Sequence, residues 1–170
     1  SVSMSSDGSR VAIGAFYGNS DDSGYVRFYE YSNGAWTQVG VDIDGATADD
    51  EFGHSVSMSS DGSRVAIGAP YGNSDDSGYA RVYEFSDGAQ DTTIFTKHTI
   101  STSAYGAYVV YTADIDGDGD MDVLSASGGD NTIAWYENDG SESFTEHAIT
   151  TSADGAHSVH AADVDGDGDM

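Results

Sequence analysis

Asp114-Ile115-Asp116-Gly117-Asp118-Gly119-Asp120-Met121-Asp122 carries a carboxylate at every second position and a glycine in two of the gaps. It returns as Asp163-Val164-Asp165-Gly166-Asp167-Gly168-Asp169-Met170, one residue short of a second copy. Alternate side chains converge where a backbone curls tightly, and glycine supplies the positive φ that such a curl needs. Calcium takes roughly six to eight hard oxygens at about 2.3–2.6 Å. The spacing therefore predicts a calcium loop. Asp114, Asp116 and Asp118 stand at positions one, three and five. Asp120 stands at seven, where a backbone carbonyl normally serves, and Asp122 closes the loop at nine. Asp163, Asp165, Asp167 and Asp169 take the same places in the second copy. An EF-hand would need a glutamate at position twelve, which here is Ser125, and the flanks read as strands. Magnesium prefers fewer carboxylates and more water. The expected role of the ion is structural, since so many acids repel one another until a cation orders them.

The loop sits within a system of repeats. Residues 1–34 and 55–88 match at 29 of 34 positions, with a period of 54. Residues 98–121 and 147–170 match at 16 of 24 positions, with a period of 49. Tyr29-Glu30, Tyr83-Glu84 and Tyr136-Glu137 keep one frame across both kinds, each followed by a turn pair: Asn33-Gly34, Asp87-Gly88 and Asp139-Gly140. Apolar residues alternate with small or polar ones along 55–59, 65–69 and 79–85, the period of a strand. A fourth element is Trp36-Thr37-Gln38-Val39, matched by Phe95-Thr96-Lys97-His98 and Phe144-Thr145-Glu146-His147. Four strands in about 50 residues suit a propeller blade. The expected fold is all-β: β-propeller blades of four antiparallel strands, as an incomplete propeller that is a fragment of a longer chain or a piece that assembles with others. The blades are expected at 1–45, 46–97 and 98–146, with a further blade starting at 147–170 and the first lacking part of its N-terminus.

Aligning Asp61-Gly62 with Asp118-Gly119 puts Ser57, Ser59, Asp61 and Val65 at positions one, three, five and nine. Valine cannot ligate, so this turn and its counterpart at Asp7-Gly8 are expected to hold no calcium.

Thirty acids against five bases give a net charge of -25. Nucleic acid binding needs a basic face, so nucleic acid is excluded as a partner. No run is long and apolar enough to insert in a membrane. With no cysteine, disulfides and thiolate metal sites are excluded as well. His157 and His160 suggest a metal pair, but their places in the preceding repeat are held by Tyr108 and Tyr111, which favours packed aromatic positions. His54, His98 and His147 read as structural. Asp42-Ile43-Asp44-Gly45 lacks a closing carboxylate, and Asp49-Asp50-Glu51 reads as a solvated loop. The Asp21-Asp22 and Asp75-Asp76 loops are secondary candidates for contact with a ligand or cation. No serine lies in a nucleophile-elbow pattern and the acids lie in polar turns, so no enzyme is expected.

Phe52-Gly53 followed by Gly68-Ala69-Pro70 resembles the FG-GAP repeat, the blade unit of integrin α-subunit propellers. The first copy departs from it, with Gly14-Ala15-Phe16. Ala113 through Leu124 resembles the related FG-GAP/VCBS-like repeats of secreted microbial and algal proteins. The resemblance implies a propeller with calcium between the first two strands of a blade. It implies metal binding through the side chains of Asp114, Asp116, Asp118 and Asp122 and the carbonyl of Asp120. It also implies a role in adhesion or recognition. The expected function is a non-catalytic, extracellular or cell-surface, calcium-binding module that recognises a protein or glycan, with further propeller blades of the same chain or of other copies as partners. The alternatives are a surface-assembly spacer and a binding appendage of a secreted polysaccharide-active enzyme.

Overall fold

The computed structural model describes residues 1–73, 75–86, 95–165 and 170. Among them are twelve strands and no helix, so none long and apolar enough to cross a membrane. The strands are β1 (Val2–Met4), β2 (Arg10–Ala15), β3 (Tyr25–Ser32), β4 (Ala35–Asp44), β5 (Ser55–Met58), β6 (Arg64–Ala69), β7 (Tyr79–Phe85), β8 (Phe95–Ser101), β9 (Ala107–Ala113), β10 (Asp122–Ser127), β11 (Thr132–Asn138) and β12 (Phe144–Thr150). Each successive set of four forms one antiparallel sheet in sequence order, giving three blades. Strands β8 and β12 cross the expected boundaries at 97/98 and 146/147. Each pairs throughout with the strand before it and completes the preceding sheet.

The blades pack face to face. Val56, Met58, Val65, Ile67 and Tyr83 of the second blade enclose Ala12, Val26 and Phe28 of the first. Ala66, Ala80 and Val82 on the opposite face meet Val110, Val123, Ala134 and Tyr136 of the third. The small residues of β6 thus serve the approach of the next blade. A Cβ at Gly68 would fall 2.8 Å from the Ala107 carbonyl oxygen, so only glycine fits there.

The innermost strands are tied by serines. Ser3 Oγ accepts the Met58 amide at 2.9 Å, Ser55 Oγ the Val110 amide at 3.1 Å and Ser57 Oγ the Thr112 amide at 3.0 Å. Charged ties lie further out. Arg10 donates to the Gly62 carbonyl at 3.1 Å and lies over the Phe85 ring, while Arg64 Nε lies 2.6 Å from Glu142 Oε1 of the third blade.

The Asp49-Asp50-Glu51 segment is not a solvated loop throughout, because Asp50 is fully buried. Its carboxylate accepts the amides of Ala46 and Thr47, the Thr47 hydroxyl and, at 2.9 Å, the hydroxyl of Tyr79. It pins the connection between the first two blades. A buried acid needs this full set of donors to offset its lost hydration.

Candidate metal centre

The register around the acidic loop decides its shape. In the second blade Met58 pairs with Val65, leaving the six residues 59–64 between them. In the third, Ala113 pairs with Asp122, leaving the eight residues 114–121. The acidic loop is therefore two residues longer than its counterpart. Ser57 does not correspond to Asp114 as the ungapped alignment has it. Ser57 lies within β5, paired with Ala66, and Ser59 is the first residue after the strand. Asp122 does fall where Val65 stands.

The short turns are closed by hydrogen bonds to a single aspartate. Asp61 Oδ1 accepts the Ser59 hydroxyl at 2.7 Å, the Ser63 amide at 2.9 Å and the Ser63 hydroxyl at 2.8 Å. Asp7 repeats this with Ser5 and Ser9. The Ser9 amide, then the two serine hydroxyls, hold the Asp7 carboxyl down at about 2.

In the long loop, ligand oxygens of Asp114, Asp116 and Asp122 lie within 4.8 Å of one another. Two oxygens on opposite sides of one calcium ion are at most about 5 Å apart, twice its usual bond length. The donor set is all hard oxygen and fits such an ion. Glycine amides curl inward: Asp114 Oδ1 accepts from Gly117 at 2.9 Å and Oδ2 from Gly119 at 3.1 Å. Both glycines have positive φ. Asp118 and Asp120 stand outside this triad. Asp118 Oδ1 accepts the Asp120 amide at 2.8 Å, and the Asp120 carboxylate lies beside Gly140 in the β11–β12 turn.

Asp122 differs from its companions in being fully buried. Its Oδ2 accepts the Ile115 amide at 2.9 Å and its Oδ1 the Asn138 amide at 2.9 Å. Burial pushes its carboxyl up and the Asp116 charge adds to this, while the two amides act the other way. Asn138 is a partner that sequence reading missed. Its side chain donates to the Met121 carbonyl at 3.3 Å and accepts the Gly140 and Glu142 amides. Its place just ahead of the Asp139-Gly140 turn was visible, but its burial was not.

In the second copy of the loop, Asp163 and Asp165 lie in exposed chain outside the strands. Asp167 and Asp169 lie outside the described residues, as does the Asp87-Gly88 turn.

Other candidates resolve into packing or turns. His157 stacks on Tyr108 at 4.5 Å and His160 meets Tyr111 at 4.4 Å, so both act as aromatic packing. His147 stacks on Trp135 and bonds Glu137. Asp42 pairs with Arg27 at 2.8 Å. Asp21 and Asp75 accept the amides of Ser23 and Ser77 in their own turns.

A family model described as FG-GAP-like repeat matches residues 61–125 and 114–170, and one described as FG-GAP repeat matches 36–83. No curated protein matches the chain. Among solved structures, a provisionally assigned 6-phosphogluconolactonase from Bacteroides uniformis ATCC 8492 is similar, with TM-score 0.65 and 15% identity, over 92% of this chain. One of the same description from Bacteroides fragilis NCTC 9343 gives TM-score 0.62 at 15% identity, also over 92% of this chain. At that identity the likeness shows the fold alone. This chain spans 41% and 40% of the length of those two chains.

Proposed function

This chain belongs to the FG-GAP-like repeat family, and we propose that it is a non-catalytic, extracellular β-propeller module that binds calcium and serves adhesion or recognition of a protein or glycan. The observation that carries the calcium part is the convergence of Asp114, Asp116 and Asp122. Calcium there would be a structural clamp, neutralising the three carboxylates and holding the β9–β10 loop against the start of β10. Asp118 and the Asp120 carbonyl complete the ligand set as the loop tightens. The loop is closed by its own amides together with Asn138, whose side chain donates to the Met121 carbonyl, so the ion would add to the blade without being required for the hairpin. The six-residue turns of the first two blades support that division.

The extracellular placement rests on the loop chemistry. Open calcium loops of modest affinity fill where calcium is plentiful. The non-catalytic reading rests on the acids of the turns, which bond serines and amides of their own loops, as Asp7, Asp61 and Asp139 do.

Thermal unfolding with calcium and with chelator tests the metal. Binding to the folded state alone raises stability by about 2.7 kcal/mol at a hundredfold excess over Kd. Absence of any shift in the unmodified chain would refute calcium binding. Recognition is tested by glycan-array and pull-down screens with calcium present, and blanks in both would remove that part.

A further inference from the structure

Asn33 and Gly34 form the two-residue turn between β3 and β4, closed by the pairing of Ser32 with Ala35. Their φ angles, 52° and 83°, are the positive pair of a type I′ hairpin. The turn stands clear of the core, since every residue from Tyr31 to Trp36 is exposed. Apart from its chain neighbours, no atom lies within 4 Å of the place a Gly34 Cβ would take, so the turn is open to water. Five asparagines stand in the chain, and the other four are held by hydrogen bonds. Asn19 Nδ2 donates to Ser23 Oγ at 3.0 Å, and Asn73 Nδ2 to Ser77 Oγ at 3.0 Å. Asn131 Oδ1 accepts the Gly155 amide at 3.1 Å, and Asn138 is buried in the network beside the acidic loop. Among the described residues nothing bonds the Asn33 side chain. The residues that follow the other four are Ser20, Ser74, Thr132 and Asp139, whose side chains hinder approach to the next amide, whereas Gly34 has none.

We propose that Asn33 is a modification site, at which the side-chain amide is lost spontaneously through a cyclic imide. The Gly34 amide nitrogen, which belongs to neither strand, gives up its proton and attacks Asn33 Cγ. The Cγ–Nδ2 bond breaks, and ammonia leaves with a proton. Water then opens the imide ring. Attack of water at Cγ breaks the new bond to nitrogen and leaves an aspartate in a normal main chain. Attack at the Asn33 main-chain carbonyl breaks the original peptide bond and leaves an isoaspartate, with the chain rerouted through Cγ. Ring closure needs the turn to leave its paired form for a moment, which costs little at an exposed hairpin tip. The two products differ in consequence. Asp87 and Asp139 stand in the place of Asn33 in the next two blades, so an aspartate there suits the turn. An isoaspartate adds a carbon to the main chain, which a two-residue turn of fixed register does not absorb. The rings of Tyr31 and Trp36, 5.2 Å apart beside the turn, would then separate. The proposal depends on neither the calcium nor the recognition reading.

The test is incubation of the folded chain at mildly alkaline pH, followed by peptide mass spectrometry, with isoaspartate read by a protein isoaspartyl methyltransferase. Asn33 should convert first, and faster as pH rises, because the attacking nitrogen must lose its proton. Asn19, Asn73, Asn131 and Asn138 should keep their amides over the same interval. Gly34→Asp, a residue type that tolerates positive φ, should slow conversion at 33 to the pace of the other asparagines. The indole N–H resonance of Trp36 should shift in the isoaspartyl fraction and stay in place in Asn33→Asp. Conversion at another asparagine ahead of Asn33 would overturn the proposal. So would an Asn33 that converts in urea but stays intact in the folded chain, because the turn would then protect it. Undiminished conversion in Gly34→Asp would exclude ring closure through this amide, and an unmoved Trp36 in the isoaspartyl fraction would overturn the disruption of the hairpin.

Discussion

Val65 and Asp122 hold the same register position in successive blades, Val65 opposite Met58 and Asp122 opposite Ala113. One is packed among apolar side chains. The other is a buried carboxylate that joins the loop amide of Ile115 to the Asn138 amide at the end of β11. The third blade has exchanged a packing residue for a connector, and its longer loop depends on the exchange.

Asp122→Val should therefore destabilise the chain in chelator, although valine suits this place in the second blade. Orphaning a buried donor costs about 1–3 kcal/mol, and two amides lose their acceptor. We expect a net loss of about 2 kcal/mol in urea unfolding. A variant as stable as the parent would mean that the loop closes without this carboxylate.

Asp116→Asn separates metal binding from folding. Asp116 is exposed, and the asparagine oxygen can still accept the Asp118 amide. Stability in chelator should stay within about 0.5 kcal/mol of the parent. The calcium-induced rise in Tm should shrink sharply, and calorimetric titration should show weakened binding.

Ile67→Ala and Ile13→Ala form a matched pair in identical local sequence. Emptying the buried site should cost about 2–5 kcal/mol. At the half-open site the cost should stay below about 1 kcal/mol, since less apolar surface is lost. Equal costs in denaturant titrations would contradict the difference in packing between the two blades.

The Asp7 turn gives a pH prediction. Its folded carboxyl lies at about 2, below the ordinary value of 3.8, because the Ser9 amide and the Ser5 and Ser9 hydroxyls favour the charged form. Its contribution to stability is present above pH 3.8 and is lost as pH falls through about 2. The side-chain carboxyl carbon of Asp7, followed by NMR, should titrate near that low value. Ser5→Ala should move the midpoint upward.

The architecture was legible because the 54-residue repeat and the period-two pattern report the same packing from two directions. Val65, Ile67 and Tyr83 recur at fixed offsets and all land in one interface. The limits of each blade were harder to read. The fourth strands carry alternating polar residues and pair on one edge only, so β8 and β12 ran past their expected ends. The aspartates of the loop were plain, yet the two-residue difference from the shorter turns was hidden by the shared Asp-Gly pair. Asp50 and Asn138 were missed for one reason. Their local partners, such as Thr47 for Asp50 and Gly140 for Asn138, would serve an exposed turn equally well, and their burial depends on distant elements, such as the strand that brings in the hydroxyl of Tyr79, which no local spacing records.

Three ties from inner-strand amides to serine hydroxyls run the same way. The amides of Met58, Val110 and Thr112 come from the later blade, and the hydroxyls of Ser3, Ser55 and Ser57 from the earlier one. The stack is consequently directional: in each of these ties the earlier blade supplies the hydroxyl acceptor and the later blade the amide donor. A blade turned end for end would set donor against donor or acceptor against acceptor, so the order of the blades is written into the hydrogen-bonding sense of three serines.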